Sequence, residues 1–354
     1  MDGSPGHCQY AERAAATRQN AAKASVHSIT SIHTYPSKEN MSADITGQGN
    51  LAEEPPASLQ DGEPYAHVAH TQVEEGNGVT PSPKPGGVAH SASIVAVCNQ
   101  KGGVGKSTTV YHLARAAATT GRRCLVIDLD PQGNVTSVLS EEELTPEDVS
   151  VADVLSSRTS LGLSDVIVTG IWDGLKVAPS VGDVLAAVRD EMVIVGPGHE
   201  TELRLRKALA KVSRHYDLIL IDCPPSLDEL TKNALAAANG VLIVSQTKLW
   251  SANGIAHLLA SIDTVQRHFN PTLAILGVII NLHEAHTNAG RYWSAELQEA
   301  GDARGFRIFA PPVPKRAIIA DSIETRRGLD ELGADGAALA QTYVEYLKEI
   351  EGAE

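Results

Sequence analysis

The chain has 354 residues, of which 42% are hydrophobic, 20% charged and 4% aromatic. That is enough for one large α/β domain with extensions or for two domains, built on an aliphatic, alanine-rich core. Its 29 Lys and Arg against 43 Asp and Glu give a net charge of −14, which excludes general attraction to polyanions and confines any nucleic-acid contact to a local basic patch.

Residues 1–92 are rich in Ser, Pro, Gly, Ala and His, as in Glu53-Glu54-Pro55-Pro56 and Pro81-Ser82-Pro83-Lys84-Pro85, and carry no sustained period. Such a stretch cannot bury enough apolar area to offset its ordering entropy, and it reads as a disordered, low-complexity tail. No apolar segment follows the N-terminus in the manner of a secretory signal. The longest apolar run, Leu273 to Ile280, is far short of the ~20 residues of a membrane-spanning helix. A cytoplasmic location is expected.

From Ser93 to the C-terminus the texture changes to one domain, with short β-branched runs alternating with helix-period segments. Strands are predicted at Ile94–Cys98, Cys124–Asp128, Leu218–Asp222, Val241–Ser245 and Ala274–Asn281. All but the first are nearly continuously apolar, as strands covered on both faces should be. Val110, Leu113, Ala114, Ala117 and Ala118 form a helical stripe that Gly121 stops, and Ile255, Leu258, Leu259, Ile262 and Val265 form a second. A C-terminal helix shows Leu339, Tyr343, Tyr346, Leu347 and Ile350 on one side. Its flanking charges are mainly Glu, so the helix is expected to pack on the sheet and not on anionic lipid. The fold class is α/β: a doubly wound, mostly parallel sheet flanked by helices.

Cys8, Cys98, Cys124 and Cys223 form no CxxC pair and are expected to be packed thiols without a disulfide. Two HxxH pairs, His67 with His70 and His283 with His286, lack a convergent third ligand and are not read as metal sites.

Directly after the first predicted strand comes Gln100-Lys101-Gly102-Gly103-Val104-Gly105-Lys106-Ser107-Thr108-Thr109, and then a helix. Glycines let backbone amides curl around phosphate oxygens, and the helix N-terminus adds positive partial charge at the same point. Gly102, Gly103, Val104, Gly105 and Thr108 are thus candidate phosphate contacts. Lys106 is expected to reach the β- and γ-phosphates, and Ser107 to ligate Mg²⁺. The strict GxxxxGK[ST] pattern is not met, because Gln100 stands where its first glycine belongs. The loop does satisfy KGGxGK[ST], a chance match on the order of one in ten thousand for such a chain.

Two acidic motifs complete the reading. Leu218-Ile219-Leu220-Ile221-Asp222 is an apolar strand ending in a carboxylate, which makes Asp222 the candidate acceptor on the Mg²⁺ side. Asp128-Leu129-Asp130-Pro131-Gln132-Gly133-Asn134 lies at the carboxyl end of another strand, where doubly wound sheets bind ligands. Period-2 geometry puts Asp128 and Asp130 on one side, and one of them is expected to orient the attacking water.

The motifs KGGVGKST, VIDLDPQGN, YDLILIDCPPSL, GVIIN and APPVPK resemble those of the ParA/MinD group of deviant Walker P-loop ATPases, and within it the Soj-like ParA partition proteins. The match runs from about Ile94 to the C-terminus. The resemblance implies an ATP- and Mg²⁺-dependent, slow, partner-stimulated ATPase in which Lys101 crosses a homodimer to the partner's nucleotide and Gly102 permits that approach. It implies that Asp130 supports hydrolysis, that Ser107 and Asp222 serve the metal, and that Asn281 and the Pro314 segment form the adenine pocket. It further implies non-specific binding of double-stranded DNA on the nucleoid and a ParB-like centromere-binding partner, so that plasmid or chromosomal DNA is segregated.

The family's pattern also places DNA-contacting arginines just after the GVxxN strand and after a VPR motif. Here those places read Glu284-Ala285-His286 and Lys315-Arg316-Ala317-Ile318, so neither arginine is in register. The substitutes are Arg291, Lys315, Arg316, Arg326 and Arg327, with a second stripe at Arg204, Lys207, Lys211 and Arg214 on one expected helix face. The alternative is a cargo- or pole-positioning ATPase that uses a protein or membrane surface as its matrix. The chain lacks the basic amphipathic C-terminal helix of a MinD-like membrane mode, and no helix-turn-helix precedes the ATPase segment.

Overall fold

The structure, a computed structural model, describes residues 92–196, 200–246, 252–284 and 287–352. Apart from Ala92, the predicted tail lies outside the described residues, as do Cys8, the first HxxH pair and His286.

Among the described residues eight strands form one sheet: β1 (Ser93–Cys98), β2 (Cys124–Asp128), β3 (Val168–Thr169), β4 (Leu175–Ala178), β5 (Leu218–Asp222), β6 (Gly240–Gln246), β7 (Ala274–Asn281) and β8 (Ile308–Phe309). Their order is β3-β4-β2-β5-β1-β6-β7-β8. Every pairing is parallel except β3 with β4. The predicted strands recur with shifts of at most one residue. β3, β4 and β8 were not expected, because two to four residues at or near an edge carry too short a pattern to stand out.

Helices connect these strands: α1 (Lys106–Thr119), α2 (Asn134–Leu139), α3 (Val151–Leu155), α4 (Leu163–Val166), α5 (Val184–Val195), α6 (Arg204–Leu209), α7 (Glu229–Ala237), α8 (Ala252–His268), α9 (Asn288–Arg304), α10 (Ala317–Glu324) and α11 (Gly333–Glu351). Val95, Val97, Val126, Leu218 and Leu220 pack with α1, α2, α10 and α11 on one face of the sheet. Ala96, Ile127, Ile219 and Ile221 pack with α3 to α9 on the other. The central strands are buried on both faces, which is why they read as unbroken apolar runs.

The predicted stripes face the core. Val110, Leu113, Ala114 and Ala117 of α1 are buried, as are Leu258, Ile262 and Val265 of α8. α1 ends as expected, with Gly121 at φ +73° and the Gly121 and Arg122 amides donating back to the Ala118 and Ala117 carbonyls. In α11, Tyr343, Tyr346, Leu347 and Ile350 are buried and only Leu339 is half-exposed, so the helix packs on the sheet. The predicted start of α1 moves: Lys106 to Thr109 already belong to the helix, which brings their side chains to its first turn.

β7 is shaped by a bulge. Val241 pairs with Ile275 and Leu242 with Gly277, so Leu276 is skipped and its side chain fills the space a Cβ on Gly240 would take. Gly277 sits at φ +147°, and a Cβ there would lie 2.6 Å from the Arg307 carbonyl oxygen and 2.8 Å from the Phe309 ring. Backbone strain and a clash with main chain act together at this position. Gly277→Ala is expected to destabilise the protein by about 2–4 kcal/mol, read as a lower urea midpoint; an unchanged midpoint would show that the bulge relaxes freely.

Candidate active site

The carboxyl ends of the parallel strands form one edge, and the loop 99–105 runs across it from β1 into α1. Gly103 (φ +70°) and Gly105 (φ +94°) adopt left-handed conformations that curl the loop. At Gly105 a Cβ would overlap the Asn281 side-chain amide and displace it, so the left-handed backbone and the lack of room both favour glycine.

The loop carbonyls are held from outside. Asn281 Nδ2 donates to the Val104 carbonyl at 2.9 Å and Gln246 Nε2 to the Gly103 carbonyl at 2.7 Å. Gly105 O accepts from the Thr109 amide and hydroxyl, and Lys106 Nζ donates to Lys101 O at 3.4 Å. Asn99 bonds the Val244 carbonyl with its amide nitrogen and accepts the Lys101 N–H with its oxygen, which fixes the loop's first turn. Lys106 is 6% exposed, Val104 is buried, and Ser107 and Thr108 are half-buried beside them.

Beneath the loop, Asp128 and Asp222 stand in register on neighbouring strands, on the face that α1 covers, and both are fully buried. Their environments differ. Asp128 accepts three bonds, from the Asp130 amide at 3.1 Å, the Thr136 amide at 2.9 Å and the Thr136 hydroxyl at 2.7 Å. Burial nevertheless pushes its pKa up to about 7, against the pull of those bonds. Neither oxygen of Asp222 meets a hydrogen-bond partner. Burial first, then the Asp128 carboxylate, raise its pKa well above the ordinary range. The neighbouring Ser107 hydroxyl, short of hydrogen-bond geometry, and the Lys106 ammonium act the other way.

An orphaned carboxylate beside a hydroxyl at a helix N-terminus fits a hydrated divalent cation, which would meet both unfilled acceptors. Asp130 lies just beyond β2 and is 7% exposed, and its carboxylate accepts one bond, from the Gln132 amide at 3.0 Å. Of the two acidic residues in that motif, Asp128 serves to anchor the start of α2, and Asp130 is the one with acceptor capacity left. Thr136 was not visible as a site residue in sequence. Its hydroxyl donates to Asp128 while accepting the Ser180 amide at 2.9 Å, a link that only the fold makes.

The remaining candidates are placed as follows. Asn281 is buried with Nδ2 on the loop and Oδ1 without a partner, and Pro314 lies on the neighbouring segment, bridged to His283 two residues beyond Asn281. Lys315 pairs with Glu284 at 3.5 Å, Arg316 with Asp335 at 2.8 Å and Arg327 with Glu331 at 3.5 Å. Arg326 donates to the Val138 and Ser140 carbonyls. Arg291 lies in α9, and its side chain is outside the described set. The second basic stripe does not share one helix face. α6 stops at Leu209, because Lys211 and Val212 turn back with bonds to Ala208 and Leu209 that bury Val212 in the core. Cys98, Cys124 and Cys223 are buried free thiols, with Cys98 and Cys223 in contact at 3.0 Å. Among the described residues no group of three or more His, Cys, Asp and Glu is arranged to hold a metal by itself.

Because the folded Asp222 carboxyl holds its proton more tightly than an unfolded one of pKa about 4, the contribution of this group to wild-type stability falls as pH rises above that value. Asp222→Asn has no such penalty. The nucleotide-free variant is expected to exceed wild type by about 1–3 kcal/mol near pH 8, with a smaller gain near pH 5. Urea midpoints at the two pH values check this, and a less stable variant near pH 8 would contradict it.

A family model described as AAA domain (AAA_31) matches residues 92–275. The sporulation initiation inhibitor protein Soj of Bacillus subtilis is 37% identical over 234 residues, 64% of this chain and 90% of that protein. The chromosome-partitioning ATPase Soj of Thermus thermophilus is 35% identical over 228 residues, 64% of this chain and 83% of that protein. Among solved structures, cobyrinic acid a,c-diamide synthase from Mycobacterium smegmatis with bound ATP analog and magnesium superposes with a TM-score of 0.59 at 31% identity, covering 73% of this chain and 93% of that one. A phosphate loop with its own glycine constraints, a carboxylate edge beneath it and relatedness of this extent agree: the chain belongs to the AAA_31 family, among its Soj-like ParA partition ATPases.

Proposed function

We propose that the protein binds ATP with Mg²⁺, closes into a homodimer, binds double-stranded DNA without sequence preference, and is turned over by a ParB-like centromere-binding partner, thereby moving plasmid or chromosomal DNA. The observation that carries the nucleotide half of this reading is the unpartnered Asp222 carboxylate beneath a glycine loop whose Gly103 and Val104 carbonyls are bonded by Gln246 and Asn281. The partition half rests on likeness to proteins named for chromosome partitioning.

In this reading the amides of Gly102 to Lys106, with Thr108, surround the phosphates, and Lys106 supplies the buried positive charge. Ser107 and Asp222 hold the metal and its water. A bound Mg²⁺ held by Ser107 and Asp222 would offset the negative charge of the phosphates. Asp130 orients the attacking water, and Lys101, on a half-buried loop position, reaches the partner's nucleotide. Asn281 Oδ1, a buried acceptor without a donor, suits the amino group of adenine, with Pro314 on the other side of the base. Residues 93–354 act as the ATPase domain and the preceding residues as a tail. The setting is the cytoplasm, on the nucleoid, and among the described residues no helix is long and apolar enough to cross a membrane.

A second reading, a cargo- or pole-positioning ATPase on a protein or membrane matrix, is favoured by one observation. Lys315, Arg316 and Arg327 are each held by an acidic neighbour, and Arg326 faces carbonyls, so this face offers DNA little uncompensated charge. The two readings separate in binding of the full chain to an arbitrary duplex with ADP, ATP and a non-hydrolysable analogue across a salt series. Partition predicts binding only with ATP or its analogue, weakening steeply with salt as phosphate contacts should. In the same assay Lys101→Ala should keep nucleotide affinity yet lose dimers and DNA. ATP-dependent dimers that ignore DNA would instead establish the positioning role.

A further inference from the structure

We infer that Gln246 is a positioning residue for nucleotide binding, paired with Asn281 as a two-pronged clamp on the phosphate loop. An amide N–H that points at a phosphate leaves the carbonyl of the same peptide pointing the opposite way, and a donor on that carbonyl fixes the rotation of the whole peptide plane. The loop meets this demand at successive residues: Gly103 O accepts from Gln246 at 2.7 Å and Val104 O from Asn281 at 2.9 Å. The two donors are not independent placements. Gln246 and Asn281 are register partners at the last pair of the parallel β6–β7 ladder, so both side chains leave the same face at the same height. Only the amide nitrogen of Gln246 can serve a carbonyl acceptor, which fixes its orientation.

A rigid strand end thus sets the rotation of two peptide planes, and with it the aim of the Val104 and Gly105 amides. No motif in the sequence marks Gln246, because its partner lies 143 residues away. The Asn99 bond to the Val244 carbonyl on the same strand anchors the loop's beginning to β6 as well, so β6 holds the loop at two points.

The inference rests on the loop being the ATP cradle. Gln246→Met removes the donor at nearly equal volume, and Gln246→Glu keeps the shape but cannot donate when ionised. In calorimetric titrations of the full chain with ADP and with a non-hydrolysable ATP analogue, both variants are expected to lose about five- to tenfold in affinity for each nucleotide. The nucleotide-free thermal midpoint should stay within about two degrees, since the contact lies at a solvent edge and not in the core. The Gln246→Met, Asn281→Leu double variant should lose less than the product of the single losses, because either change unhooks the same loop. Affinities within about twofold of wild type, or a loss matched by a comparable fall in the nucleotide-free midpoint, would overturn the positioning role. Failure of the wild type to bind either nucleotide would overturn the cradle reading itself.

Discussion

Two carboxylates side by side in a low-dielectric edge of the sheet are the constraint on which the rest of this structure depends. Asp128 and Asp222 end neighbouring strands in register, and neither reaches solvent. The fold resolves the conflict asymmetrically. Asp128 receives three hydrogen bonds from its own following segment, whereas Asp222 is left with two unfilled acceptors next to Ser107 and Lys106. A buried acceptor without a donor is costly, and proteins keep such a group where a ligand or ion completes it. The fold therefore leaves two unfilled acceptors at the place where the loop offers amides to phosphate.

Around that constraint, the sheet acts as a rigid bench. Parallel strands stop at one level, so β1 delivers the loop, β2 and β5 the carboxylates, and β6 and β7 the side-chain amides that hold the loop's carbonyls. α1 begins at Lys106, which sets its N-terminal amides and the Lys106 and Ser107 side chains over the same point. The Thr136 hydroxyl ties the Asp128 segment to the Ser180 backbone, so the strand end carrying Asp130 is braced from a part of the chain far away in sequence.

Much of this was legible from residue order. Strands covered on both faces announce themselves as apolar runs, and glycines at strained positions mark the loop; β2, β5 and β7 fall on their predicted boundaries for that reason. What sequence could not show were features created by distant pairing. The division of labour between Asp128 and Asp130 depends on Thr136, and the roles of Gln246 and Asn281 depend on strand register. The basic stripe from Arg204 to Arg214 looked continuous because spacing alone ignores the burial of Val212 that turns the chain. Edge strands of two to four residues have no period to read.

The account's central claim is that the Asp222 site and the phosphate loop form one Mg²⁺-nucleotide site. Thermal unfolding of the full chain with ATP, in the presence of Mg²⁺ and again with the metal chelated, tests it most directly. The account predicts a large rise in midpoint with Mg²⁺ and ATP together, a much smaller one with ATP alone, and loss of that metal-dependent increment in Asp222→Asn. Equal stabilisation with and without Mg²⁺, or an increment that survives Asp222→Asn, would contradict it.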